Sequence, residues 1–357
     1  MNFDLTEDRQ MLSDTLRRYL SANCVIEKRN EIAYSAPFHS PQCWSEMAEL
    51  GIPGALVDEA HGGYGGTGFD IAVVFEELGR ALCPEPFLGT LLASRLLLAA
   101  GADQQDLIDG SVRYAVAISE LDEPYDPAFM IASATRSGEG YALEGRKTAV
   151  YGGHVTDVLL VAAMLDGRPA VFSVEAKSAA LTSYGMIDGG GAAEVVFDAT
   201  PATLLIEDAG KALDDMFAAG RLALCAEAVG AMDVAYTLLL DYLRTRKQFG
   251  TAIGKFQALQ HRAVDLLAEI EQARSITISL AAALGSDEAM PRSAMAKGLI
   301  GRVARLVAEE TIQMQGGIAM TWEYASSHYA KRLVMIDHQL GDTDQCEGEI
   351  IRRYAAA

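Results

Sequence analysis

The chain has 357 residues, half of them apolar, with 33 glycines, 10 prolines and a formal net charge of −20. That length predicts two or three domains, and charges interspersed among so many apolar residues argue against disorder. So acidic a chain excludes a broad surface for nucleic acid or anionic membrane, while leaving room for a small positive pocket.

The opening MNFDLTEDRQML carries no positively charged leader and no apolar segment, so no secretion signal is expected. The longest apolar runs, such as DVLLVAAML, are too short to span a bilayer. Cys24, Cys43, Cys83, Cys225 and Cys346 are odd in number and lack C-x-x-C or Cys/His ligand spacing. A reduced, cytoplasmic protein without zinc is expected.

From Leu5 to about Gly110 the apolar period is helical. DRQMLSDTLRRYL sets Leu12, Leu16 and Leu20 on one face, and SEMAELGIPG and AVVFEELGRALC follow as further helices. The run HGGYGGTG between the last two lacks the terminal Lys-Ser/Thr of a phosphate loop and reads as a flexible connection. From about Ser111 to Pro201 the period shortens: VRYAVAIS, FMIASATRS, GYALEGRKTAVY, VTDVLLVAAML, PAVFSVEA and AAEVVFDAT read as short strands. With no helices between them they predict antiparallel β structure, a small barrel or paired sheets. From about Ala209 four long helical stretches with short joints predict a bundle, and the all-round apolar SITISLAAAL predicts cover on several sides, as between subunits. The expected fold is α+β: an N-terminal helical domain over 1–110, a middle antiparallel β domain over 111–205 and a C-terminal four-helix bundle over 206–357.

Two segments carry candidate chemistry. In RKQFGTAIGKFQALQHRA, Arg246 and Lys247 close one long helix and a new one opens near Lys255, after Gly250 and Gly254. An arginine fork beside a helix N-terminus can grip a pyrophosphate; a basic helix C-cap with Phe249 buried explains the residues too. In ETIQMQGGIAMTWEY, Gln313 can donate and accept while Gly316 and Gly317 allow a ligand close to the backbone; plain helix termination is the alternative. His261 and His328 lie on helices without companions at metal-ligand spacing and read as structural. Ser119 ends a strand without a His and Asp arranged around it. The tail gathers Asp342, Asp344, Glu347 and Glu349, a solvated terminus or the source of a general base.

In this order, these elements and motifs resemble the acyl-CoA dehydrogenase family over essentially the whole chain. RKQFGTAIGKFQALQHRAVDL is similar to the family's R-x-x-F-G…Q segment. IQMQGGIAMTWEY is similar to its Q-x-x-G-G-x-G segment, with Ala319 replacing the last glycine. The resemblance implies FAD, an acyl-CoA substrate and α,β-desaturation, in which a carboxylate takes the α-proton, the β-hydride goes to the flavin, and an electron-transferring flavoprotein accepts the electrons. By motif position, Arg246 resembles the pyrophosphate contact, flanked by Gln248 and Phe249, and Gln257 the glutamine near the adenine. Gln313, Gly316 and Gly317 resemble the loop on the same ADP half, and in the family these groups come from a neighbouring subunit.

Departures from the family pattern are concentrated elsewhere. AVAISELDEPYDP offers Ser119 for the flavin but no G-S-D, and GRKTAVYGGH puts Ala149 where a tryptophan belongs. The glutamate of the family's Y-E-G-T-S-E-I-Q-R tail falls on Gly341 or Gln345, and its alternative position on Gly220; Asp342 is the reserve carboxylate. The tail resembles the smaller subunits of two-gene α2β2 acyl-CoA dehydrogenases acting on steroid-CoA side chains. That implies a larger partner subunit supplying the base. Competing readings are a homo-oligomer using Asp342 or Glu347, an assembly protein without flavin, and a flavin-dependent oxidase or monooxygenase.

Overall fold

The computed structural model describes residues 5–122 and 124–355. Six helices come first: α1 (Glu7–Asn23), α2 (Ile26–Ala33), α3 (Pro41–Glu49), α4 (Gly68–Ala81), α5 (Phe87–Ala100) and α6 (Gln105–Ile108). Seven strands follow: β1 (Tyr114–Ala117), β2 (Ser133–Ser137), β3 (Gly140–Tyr151), β4 (Val158–Leu165), β5 (Arg168–Glu175), β6 (Ala180–Gly185) and β7 (Gly191–Ile206). The rest is α7 (Gly210–Thr245), the two-residue strands β8 (Lys247–Gln248) and β9 (Thr251–Ala252), then α8 (Gln257–Ala283), α9 (Ala289–Gln315), α10 (Ala325–Asp337) and α11 (Thr343–Ala355). The α+β order expected from periodicity is therefore the order observed.

By contacts the chain forms two compact units. One is built from the segment through Ile26, Ala72–Cys83 and the chain from Arg221 onward; the other from Glu27–Ile71 and Pro84–Gly220.

In the second unit, β5, β7, β3 and β2 pair antiparallel in that order, and β4 pairs with β5 from Val158↔Glu175 to Leu165↔Arg168. A single pairing, Ser133↔Met164 between β2 and β4, closes these five strands into a ring. Closure leaves no open edge among the five. β6 adds along β7, and β1 adds parallel to β4. The sheet is thus mixed rather than purely antiparallel. The connection from β1 to its parallel neighbour is a loop plus the β2–β3 hairpin, so no helical period marks a crossover. Alternate residues Leu159, Val161, Ala163 and Leu165 of β4 enter a core with Phe172, Val195 and Phe197, the period of two that a strand imposes.

In the first unit α1 starts with Thr6 accepting from Arg9 N and carries Glu7 and Asp8 in its first turn, which suits the positive helix end. It buries Leu16 and Leu20, with Leu12 half-buried. α9 packs against α8, α10 and α11. The α4 and α7 segments of this unit cross backbone to backbone. A Cβ on Gly79 would lie 2.0 Å from the Glu227 carbonyl oxygen, and one on Gly230 2.0 Å from that of Glu76. Round the crossing, Arg80 reaches Glu76 at 2.6 Å and Asp233 at 2.5 Å, and Arg274 reaches the same two at 3.2 and 2.7 Å. Among the described residues α7 is long and apolar enough to cross a membrane, yet 72% of that window is buried inside the protein. The acidic tail is not a loose terminus: it forms α11, with Cys346 buried.

Candidate functional site

α7 gives way at Arg246 to a tight hairpin. Lys247 pairs with Ala252 and Gln248 with Thr251, and the amide of Ile253 donates to the carbonyl of Arg246 at 2.9 Å. The two turn residues, Phe249 and Gly250, have φ of 52° and 79°, the positive pair that a two-residue hairpin requires. Phenylalanine is strained there. Its ring is 92% exposed and stands edge-on to Phe256 at 6.2 Å. The alternative of a helix cap with Phe249 buried is not what the chain forms.

α8 then begins at Gln257 with no side-chain cap, leaving its first amides pointing outward. At the far end of α9, Gln313 is exposed and Gly316 adopts φ 73°, ψ −154°, a conformation open to glycine. Nothing lies within 4 Å of where a Cβ would stand on Gly316 or Gly317. Three contacts bring these segments to one end of the helices. Arg262 on α8 bonds Glu310 on α9 at 2.7 Å. Gln315 donates to the Tyr324 hydroxyl at 3.4 Å, and Tyr324 stands edge-on to Tyr242 of α7 at 6.5 Å. Arg246, Gln248, Phe249, Gln257, Gln313, Gly316 and Gly317 therefore belong to one end of the first unit. Arg246 makes no ion pair among the described residues. Gln315 Oε1 is buried without a hydrogen-bond partner among the described residues.

The positions expected to hold a base look different. Asp342 caps α11, accepting from the Gln345 amide at 2.8 Å. Glu347 is exposed. Gly341 is buried, with φ 107°, and a Cβ on it would lie 2.9 Å from Arg221 Nη2. Arg221, adjoining Gly220, is 1% exposed; it grips Glu349 through two bonds of 2.9 and 2.7 Å and donates Nε to the Leu340 carbonyl. Lys297, fully buried, donates to the carbonyls of Asp337 and Gly341 at 2.8 and 2.7 Å. Asp337 in turn accepts from the Thr343 amide and hydroxyl. Asp337, Asp342 and Glu349 near this turn are thus already engaged, while Glu347 faces solvent.

In the second unit the half-buried Ser119 follows β1, and its carbonyl accepts from the Thr148 amide at 2.9 Å. Beside it, buried Lys147 bonds Glu120 at 2.7 Å and the Ile118 carbonyl at 3.0 Å. Glu120 also accepts from the Ile131 and Ala132 amides, so the loop is closed on its own charges. Ala149 takes φ 47°.

Half-buried His154 lies in the same unit, its ring against the backbone of Phe38 and Gly191. Burial, with nearby His39 adding repulsion, holds its imidazole down to about 4 from the usual 6.5. A histidine depressed in the folded state contributes full stability above about pH 6.5, lost as pH falls towards 4. Thermal melts of the wild type should fall through that window, and His154→Gln should flatten the slope by about 1–2 kcal/mol after solvent screening. An unchanged slope in the variant would show that His154 does not titrate this way. Among the described residues no group of three or more His, Cys, Asp or Glu could hold a metal ion.

Comparison with known proteins accords with this geometry. Residues 6–106 match the acyl-CoA dehydrogenase N-terminal domain and residues 210–354 the acyl-CoA dehydrogenase C-terminal domain. The chain is 30% identical over 335 residues to acyl-CoA dehydrogenase IpdE2 of Mycolicibacterium smegmatis, covering 92% of this chain and 93% of that one. It is likewise 30% identical over 352 residues to the IpdE2 of Mycobacterium tuberculosis, covering 97% and 96%. Among solved structures, a variant of the Tcur3481–Tcur3483 steroid ACAD superposes with a TM-score of 0.90 at 27% identity, covering 98% of this chain and 99% of that one. The ChsE4–ChsE5 complex from Mycobacterium tuberculosis shares the fold with a TM-score of 0.92 at 24% identity over the full length of both chains. With the helical ends, the β ring and both motifs in place, this chain belongs to the acyl-CoA dehydrogenase family.

Proposed function

We propose that this chain is one subunit of an FAD-dependent acyl-CoA dehydrogenase, contributing the ADP half of a flavin site whose catalytic glutamate comes from a larger partner subunit. The observation that carries the reading is a contrast. The Arg246 end is open and lacks a counter-ion, whereas the expected base positions hold Gly341, Gln345 and Gly220, and the reserve carboxylate Asp342 is engaged as the cap of α11.

The residues fit one half of FAD and not the other. An arginine without an ion pair, uncapped α8 amides, open glycines and the unpartnered Gln315 oxygen suit a pyrophosphate and its adenosine. Around Ser119 and Ala149, Lys147 and Glu120 satisfy one another, so neither of these charges is offered to a flavin ring. When bound, FAD would accept the hydride leaving the β-carbon of an acyl-CoA thioester. Arg246 and Gln313 would hold the phosphates and orient the nucleotide, and Phe249 and Phe256 would keep water from the adenosine.

The paired names of the similar Tcur3481–Tcur3483 steroid ACAD and ChsE4–ChsE5 complex support a chain that works beside a partner subunit; in this reading the assembly is α2β2 and its electrons pass to an electron-transferring flavoprotein. In this reading the C-terminal segment 206–357 carries both the nucleotide contacts and the subunit contacts.

Co-expression with the partner dehydrogenase subunit, followed by counting flavin, should give one FAD per pair. The chain purified alone with one FAD per subunit and full turnover would overturn the proposal. Arg246→Gln should weaken FAD binding by about 10- to 100-fold without moving the melting temperature, because the side chain has no structural partner.

A further inference from the structure

α9 and α11 pack together, and their contact leaves a pocket of about 160 Å³ that opens to solvent. One wall is the start of α9, where Met290, Pro291 and Ala294 share a helix face and the last two are buried. The opposite wall is the end of α11, where Glu349 and Arg353, and Ile350 and Tyr354, stand four residues apart. This pocket lies at the other end of α9 from Gln313. None of its residues belongs to the proposed nucleotide contacts.

Met290, Pro291, Ala294 and Ile350 give the pocket an apolar body, and α11 gives it its charge. Both oxygens of Glu349 accept from buried Arg221, at 2.9 and 2.7 Å, so that carboxylate is balanced from inside the protein. Arg353 has no such balance. Among the described residues its guanidinium makes no hydrogen bond or ion pair, and the Tyr354 hydroxyl makes no hydrogen bond. A guanidinium fork pairs with a planar carboxylate through two parallel bonds. A cavity of roughly 150 Å³ holds a benzene ring, which sets the size of the apolar body.

We propose that the pocket between α9 and α11 binds a small apolar carboxylic acid of about six or seven carbons. Its carboxylate sits on Arg353 and Tyr354 and its body on the start of α9. Because Glu349 is both a wall of the pocket and the partner of Arg221, occupancy stabilises the seat of α11.

The test is a fluorine NMR titration of the full-length protein with para-fluorobenzoate. Saturable broadening with a dissociation constant of roughly 1 mM is expected for a probe of this size. Benzoate and hexanoate should displace it, and benzyl alcohol should not. Arg353→Met should weaken binding by about 10- to 100-fold with an unchanged melting temperature, because the side chain has no structural partner. Met290→Trp, which fills the pocket, should abolish binding. Absence of saturable broadening in the wild type would overturn the proposal. So would binding unchanged in both variants, which places the acid elsewhere. Loss in Arg353→Met alone would reduce the site to surface ion pairing, and loss in Met290→Trp alone would remove the carboxylate; each overturns the assignment. Binding by the chain alone that vanishes in the co-purified complex would also overturn it, marking the face as a subunit contact.

Discussion

Gly230→Ala is expected to cost at least about 4 kcal/mol and to lower the melting temperature by roughly 10 °C. The added methyl carbon would stand 2.0 Å from the Glu76 carbonyl oxygen and 3.1 Å from the Arg80 amide nitrogen. Both are backbone atoms, so no rotamer change relieves the overlap and the two helices must separate. Separation also disturbs the four ion pairs linking Arg80 and Arg274 to Glu76 and Asp233, whose distances depend on the close crossing. Gly79→Ala should behave alike, since its methyl would meet the Glu227 carbonyl. Thermal unfolding of the two single variants and the double variant reads the effect. Near-additive losses would deny that the glycines serve one crossing, because coupled sites depart from additivity.

Lys147→Met should cost about 3–5 kcal/mol at neutral pH, since it strands a buried carboxylate. Burial pulls the Lys147 ammonium below its ordinary value, opposed by the hydrogen bond and charge of Glu120. Burial also raises the Glu120 carboxyl, but Lys147 and the Ile131 and Ala132 amides together bring it below its usual value. A carboxyl lowered in the folded state contributes stability above the ordinary carboxylate range, lost as pH falls through it. The wild-type advantage over Lys147→Met should therefore shrink on acidification. Adding Glu120→Gln to Lys147→Met should recover part of the loss at neutral pH, because the second change removes the stranded charge. Denaturant melts of this double-mutant cycle provide the check, and no recovery would deny that the pair is the origin of the cost.

The α+β order was legible because the apolar period changes twice along the chain, near Ser111 and again near Ala209. Other features left no local trace. α5 is apolar on nearly every side, so no polar face marked it as a helix. Closure of the strand ring rests on one residue pair, Ser133 with Met164, and no pattern announces a single bridge. The motif around Arg246 was recognisable by residue type, but strands of two residues are too short for periodicity to reveal the hairpin. Its Phe249–Gly250 turn could have been suspected only from the glycine. The engagement of Arg221 with Glu349 joins residues 128 positions apart, beyond any local reading.

The unit containing Arg246 is assembled from three separated pieces, through Ile26, Ala72–Cys83 and from Arg221 onward, whereas the other is complete by Gly220. During synthesis from the N-terminus, α1 can meet the Ala72–Cys83 segment early, through Ser13 and Arg17 with Glu77, but must wait for more than half of the polypeptide to leave the ribosome before the rest of its unit exists. The strand ring and its companion helices can close while the chain is still growing; the nucleotide end cannot. A nascent chain halted shortly after Gly220 should thus protect the strands against protease while leaving α1 open to cleavage, and such truncated products would present Leu16 and Leu20 to chaperones.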